Sequence, residues 1–118
     1  MDSHNWIWLV GALVLVWAVF QVLRGGGKRI DGAQAKALIK EGAKLIDVRT
    51  PGEFARGHLP GALNIPHHEI AARLTELGAR DRTLVVYCHS GSRSGVAVRM
   101  LQRSGFTQVH NLGPMAAW

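Results

Sequence analysis

The tightest constraint on this chain is the run Thr83-Leu84-Val85-Val86-Tyr87, followed at once by Cys88-His89-Ser90-Gly91-Ser92-Arg93-Ser94. A short apolar run bounded by turn residues predicts a buried strand, and the stretch behind it has a helical period. Cys88 is therefore expected on a tight turn where a strand hands over to a helix. In open parallel α/β sheets ligands bind beyond the carboxyl ends of the strands, and a helix start offers unpaired backbone N–H groups and the positive end of a dipole. An anionic sulfur is stabilised in such a place. Gly91 admits backbone angles closed to other residues, small Ser90, Ser92 and Ser94 keep the concavity open, and Arg93 adds a charged donor at the rim. The residues alone describe a cradle for a thiolate or a tetrahedral anion. The plainer alternative is a buried structural cysteine, since free Cys is among the most buried residue types.

The rest of the chain bounds what such a cradle can do. At 118 residues there is room for one compact domain and an appendage. A single cysteine excludes an intramolecular disulfide and removes any resolving partner, so an oxidised or sulfur-loaded Cys88 must be discharged by another molecule. The net charge of +6 raises the question of nucleic acid. The basic residues are spread along the chain without dense clusters or interleaved aromatics, so no nucleic-acid partner is expected, while anionic substrates or anionic lipid headgroups suit the charge.

Residues 1–5 read as a short tail. Trp6 to Leu23 carries no charge, and as a helix spans about 27 Å against the ~30 Å of bilayer hydrocarbon, which predicts a transmembrane helix over 6–23. A cleaved signal peptide fits poorly because the start is not basic and no small-residue cleavage site follows. An amphipathic surface helix lacks its polar face, and a core helix apolar on all sides is out of scale with so small a domain. Arg24, Lys28 and Arg29 follow the span and no Lys or Arg precedes it. The positive-inside bias then predicts a single-pass membrane protein, in contact with lipid, whose carboxyl-terminal domain is cytoplasmic. Residues 24–29, with three consecutive glycines, read as a basic linker.

From Ile30 to Trp118 helical and strand patterns alternate. Asp31 with Gln34 resembles a capping box ahead of Ala35, Leu38 and Ile39, and Gly42 ends that helix. Lys44 to Val48 reads as a buried strand. Thr50-Pro51-Gly52-Glu53 is a fuller helix start, with Thr50 as N-cap, Pro51 in the first turn and Glu53 reaching back. Pro60-Gly61 leads into a minor strand over 62–65. Ile70, Ala71, Leu74 and Leu77 share a predicted helical face; the strand before Cys88 follows, then a helix over 92–104 with Val96, Ala97, Met100 and Leu101 inward. A last strand over 108–111 leads to Trp118 as a packing anchor. Strands separated by helices imply a mostly parallel sheet covered on both faces.

Four stretches together carry a family likeness. Leu45-Ile46-Asp47-Val48-Arg49-Thr50-Pro51-Gly52-Glu53-Phe54, Gly57-His58-Leu59-Pro60-Gly61-Ala62-Leu63-Asn64-Ile65-Pro66, Tyr87 to Ser94, and Asn111-Leu112-Gly113 with Ala117-Trp118 closely resemble a single-domain rhodanese, a sulfurtransferase. The resemblance covers about 30–118 and implies an α/β domain with a parallel five-stranded sheet flanked by helices. It implies Cys88 as the persulfide-carrying nucleophile, a substrate loop of His89, Ser90, Gly91, Ser92, Arg93 and Ser94, a small sulfur-containing donor, a thiol acceptor and no cofactor. Gly113-Pro114 departs from the family's common Gly-Gly pair.

Two other functions compete. Some phosphatases share this fold, but their Cys-to-Arg loops hold one residue more than the four between Cys88 and Arg93, and no acid stands beside the loop to protonate a leaving oxygen. A non-enzymatic binding module is the other, against which stands the intact Cys88 loop. Asp47 and Arg49 face the pocket or form a buried ion pair that fixes the following turn. His58 is a pocket or support residue for which a hydrogen-bonded role in a turn is the simpler reading. His67 and His68 are adjacent and cannot easily converge on one ion, so no metal site is expected.

Overall fold

Side-chain caps set where the first domain helices begin. In the computed structural model, which describes residues 5–23 and 28–118, Asp31 accepts from the Gln34 amide at 2.8 Å while Gln34 accepts from the Asp31 amide at 2.9 Å, opening α2 (Gly32–Lys40). Thr50 and Glu53 form the same reciprocal pair around α3 (Pro51–Arg56), with Pro51 in the first turn. Each box satisfies two amide donors that a helix start leaves unpaired.

The strands are β1 (Lys28–Arg29), β2 (Lys44–Asp47), β3 (Leu63–Asn64), β4 (Thr83–Cys88) and β5 (Gln108–Pro114), all parallel, in the order β1-β5-β4-β2-β3. The expectation of five strands within residues 30–118 is corrected here. Those residues supply four, and the place beside β5 is taken by the two-residue ribbon Lys28–Arg29, which the sequence pattern assigned to the linker. A ribbon this short has no apolar periodicity to betray it, and only its pairing with His110 and Asn111 defines it. The remaining linker residues 24–27 and tail residues 1–4 lie outside the described residues.

The amino-terminal helix α1 covers Asn5–Leu23. Among the described residues no helix is long and apolar enough to cross a membrane. The transmembrane helix expected over 6–23 is corrected accordingly. The single-pass membrane localisation, with its cytoplasmic placement of the domain, is corrected with it.

Alternation along the strands produces two apolar layers, one on each face of the sheet. One gathers Ile46, Val48, Leu84, Val86 and Cys88 with Ile65, Ile70 and Leu77, against Ala97, Val98 and Leu101 of α4 (Ser92–Arg103). The other gathers Leu45, Val85, Tyr87 and Leu112 with Ile30, Ala35 and Leu59, and the half-buried Trp118 packs against it. Two local expectations change. Residues 67–77 form two 3-10 turns, His67–Ala72 and Leu74–Leu77, broken at Arg73 with φ −122°; neither has a side-chain cap, and the segment needs only Ile70 and Leu77 buried. On α4 the inward face is Ser94, Ala97, Val98 and Leu101, while Val96 is 42% exposed.

The carboxyl edge of the sheet is tied by a buried polar network. Asp47 Oδ1 accepts from the Arg49 amide at 2.9 Å, and Oδ2 accepts from Arg49 Nη2 and the Tyr87 hydroxyl, each at 2.7 Å. Arg49 Nη2 also donates to the Gly57 carbonyl at 2.7 Å, and the Tyr87 oxygen accepts from the Leu59 amide at 3.0 Å. Burial and the bond to Asp47 push the Tyr87 phenol pKa up, and the Asp47 partnership holds Arg49 firmly charged. Removing the carboxylate would strand a buried guanidinium, so Asp47→Ala is expected to lower the unfolding free energy by about 3–5 kcal/mol. Urea denaturation would check this, and a loss under 1 kcal/mol, the range of exposed pairs, would show that the network carries little.

Candidate active site

Cys88 is the last residue of β4, with β2 on one side and β5 on the other. After it His89 and Ser90 are exposed, and the chain turns through Gly91 into α4. Gly91 has φ +102°, a left-handed conformation that costs a non-glycine residue roughly 1–2 kcal/mol. This conformation aims its amide inward, and the Gly91 N–H donates to Cys88 Sγ at 2.9 Å. The amide of Ser94 in the first turn of α4 and that of Ser90 also act on the sulfur.

These groups settle the ionisation of the thiol. Burial, the largest single effect, pushes the Cys88 pKa up, because a charge loses hydration in the interior. The Ser94 hydroxyl and the amides of Ser94, Gly91 and Ser90 together outweigh it, and the thiol lies below its ordinary value. The hydroxyl carries one proton. It is directed at the Gly91 carbonyl at 2.9 Å. The residue is fully buried, yet the amides point at the sulfur rather than away. An inert core cysteine has no such escort of donors.

Arg93 takes a different role from the free cation at the rim that its position in the loop implied. Its two terminal nitrogens bind the Glu53 carboxylate at 2.6 and 2.9 Å, a two-toothed pair between α4 and α3 with both side chains a little over a quarter exposed. Arg93 holds the Glu53 carboxyl far below the usual carboxylate range, with the Thr50 amide adding to the effect. Glu53 thus serves two elements at once, capping α3 and anchoring the loop arginine. Its second role was hidden in the sequence because the capping box already accounts for a Glu at that position, and nothing in local spacing points to a partner 40 residues away.

The side chains of the other sequence candidates are turned elsewhere. Ser90 Oγ and Ser92 Oγ lie 3.4 Å apart on the open side of the loop, and His89 faces solvent. Asp47 and Arg49 belong to the buried network under the preceding strand end. His58 stacks on Phe54 with ring centroids 3.7 Å apart, and its Nδ1 donates to the Phe54 carbonyl at 2.9 Å, which is a turn-stabilising arrangement. Tyr87 was missed as a supporting residue because its apolar neighbours make it read as core. Among the described residues no group of three or more His, Cys, Asp or Glu is placed to hold a metal ion.

Comparison with known proteins agrees with this geometry. Residues 31–118 match the model of the rhodanese-like domain family. A sulfurtransferase of Allochromatium vinosum is 44% identical over 66% of this chain and 73% of its own length. A thiosulfate sulfurtransferase of Pseudomonas syringae is 38% identical over 77% of this chain and 86% of its own. Among solved structures, a rhodanese with anions from E. coli is 36% identical over 64% of this chain and 91% of its own, with a TM-score of 0.62. With a depressed thiol cradled by amides at the carboxyl edge of a parallel sheet, and with the matched stretch covering the whole of that sheet except β1, the chain belongs to the rhodanese-like domain family.

Proposed function

We propose that the protein transfers a sulfane sulfur from a small donor, of the thiosulfate, polysulfide or persulfide type, to an external thiophilic acceptor through a persulfide on Cys88. The observation that carries this reading is the convergence of the Gly91 amide, at 2.9 Å, and its neighbours on one lowered thiol. In the first half-reaction the Cys88 thiolate attacks the outer sulfur of the donor. A new bond forms from Sγ to that sulfur, the donor's S–S bond breaks, and sulfite or a thiolate departs with the electron pair. The loop amides act as fixed dipoles on the charged terminal sulfur and need no reorganisation. In the second half-reaction the acceptor thiolate, or cyanide in an assay, bonds to the outer sulfur and Cys88 Sγ leaves as thiolate. The transferable atom stands about 2 Å beyond Sγ, which moves the second attack out toward the rim. With one cysteine in the chain, the acceptor is always another molecule.

Commitment of Arg93 to Glu53 disfavours phosphate-ester hydrolysis, because the loop arginine is then not turned to a phosphoryl group. Mass spectrometry after exposure to thiosulfate is expected to show one added sulfur on Cys88. Absence of the adduct with thiosulfate, polysulfide and glutathione persulfide alike would remove the proposal. Cys88→Ser is expected to reduce sulfur transfer to cyanide to background while keeping the melting temperature of the wild type.

The thiol environment makes a separate, pH-resolved prediction. A lowered pKa means that thiolate persists to lower pH, so the rate of Cys88 alkylation is expected to reach its half-maximum below the ~8.5 of a free cysteine. Ser94→Ala removes the hydroxyl and is expected to move that midpoint up, because a group that favours the thiolate is lost. An unchanged midpoint would show that the backbone amides alone set the ionisation.

A further inference from the structure

The two arginines in the family-like motifs are both spent on carboxylates: Arg49 on Asp47, and Arg93 on Glu53. A third lies beside the loop from an unexpected direction. Arg29 is the second residue of the edge ribbon β1, paired in register with Asn111, and it precedes the family-matched residues 31–118. Its guanidinium lies flat against Gly113, so that a methyl group built on Gly113 would overlap Nη1, Cζ and Nη2 together. A methyl group built on Gly91 would stand 3.6 Å from Arg29 Nη1 and 3.6 Å from Pro114 Cδ. Since the Gly91 amide is bonded to Sγ, standard backbone dimensions put Arg29 Nη1 within about 9 Å of the sulfur. Arg29 is exposed and forms no ion pair with any described residue.

We propose that Arg29 is the specificity-determining residue for the donor, reading the charged end of an anionic sulfane donor while the Cys88 loop engages its outer sulfur. The proposal rests on the sulfurtransferase reading above and narrows its substrate class to donors with a sulfonate or comparable anionic group. A donor whose outer sulfur meets Sγ projects its anionic end away from the buried strand, toward the rim where Arg29 stands. A guanidinium suits that task, presenting several N–H donors in a plane to oxygens carrying delocalised charge. Among the described residues, Arg29 is a cation beside the loop whose charge no bonded carboxylate cancels, unlike Arg49 and Arg93. At under 10 Å in dilute salt its field on the donor is only partly screened. Gly113 is what admits it: a side chain there would both strain the φ of +80° and displace the guanidinium.

The test separates recognition from chemistry. In the full chain carrying Cys88→Ser, which cannot accept sulfur, calorimetry at low ionic strength would measure binding of thiosulfate, a dianion, and of benzenethiosulfonate, a monoanion. Adding Arg29→Gln is expected to weaken thiosulfate about tenfold and benzenethiosulfonate about threefold, the square relation that a twofold charge ratio requires. Arg29→Lys is expected to recover most of the dianion affinity, and salt is expected to weaken the parent while leaving Arg29→Gln nearly flat. With Cys88 restored, the same tenfold loss is expected in kcat/KM for thiosulfate, with kcat unchanged. Equal affinities in parent and Arg29→Gln, equal losses for the two anions, or no anion binding by the parent would each overturn the proposal. Anion binding that depends on Arg29, in a protein that never forms the Cys88 persulfide, would instead sustain it and overturn the sulfurtransferase reading.

Discussion

The Asp47 carboxylate is the point on which the working end of this fold depends. It is wholly buried, and a buried charge persists only where its oxygens are filled by donors. Arg49 fills them from its backbone amide and its guanidinium, and the Tyr87 hydroxyl fills them from the neighbouring strand. Each donor is itself tied onward, Arg49 to the Gly57 carbonyl and Tyr87 to the Leu59 amide. Two strand ends and the connection between α3 and β3 are thereby held to one another. Cys88 is the residue after Tyr87, so the nucleophile starts from a fixed strand end and its loop need only be shaped from there.

That shape comes from an irregularity in the pairing of β4 with β5. Val86 pairs with Asn111 but Tyr87 pairs with Gly113, which leaves Leu112 as an extra residue in β5. A bulge bends its strand and re-aims the residues beyond it. Here it brings Gly113 and Pro114 alongside Gly91 and Cys88. The Gly113-Pro114 pair, a minor departure from the family pattern when read in one dimension, becomes part of the wall behind the loop. Proline lacks an amide to donate, which suits the last residue of β5 opposite Cys88.

The electrostatics of the site follow from which charges are already satisfied. Burial opposes a thiolate and the neighbouring donors favour it; the donors win because the Gly91 amide, at 2.9 Å, is joined by the Ser94 hydroxyl and the Ser94 and Ser90 amides around one sulfur. Arg93 is pinned by Glu53, which balances its charge, instead of reaching for the substrate. Glu53 in turn couples the capping of α3 to the seating of α4, so the two helices are registered to each other by one carboxylate.

Local chemistry was enough to read much of this from the residues. The capping boxes at Asp31 and Thr50, the strand-to-helix turn at Cys88 and the need for glycine at position 91 are all written in neighbours a few positions apart, because helix starts and tight turns are satisfied by nearby groups. The order of motifs likewise identified the family. What local chemistry cannot carry is the partnership of residues far apart in the chain. The bond between Glu53 and Arg93, the buried linkage of Asp47 with Tyr87, the edge ribbon at Lys28–Arg29 and the seat of Arg29 on Gly113 exist only once the sheet has been assembled. The failed expectations have the same root. Apolar content over 6–23 and a helical period over 70–77 are properties of a stretch by itself. The choice of 3-10 turns that bury only Ile70 and Leu77 is decided in three dimensions, by where the backbone must go to cover the core.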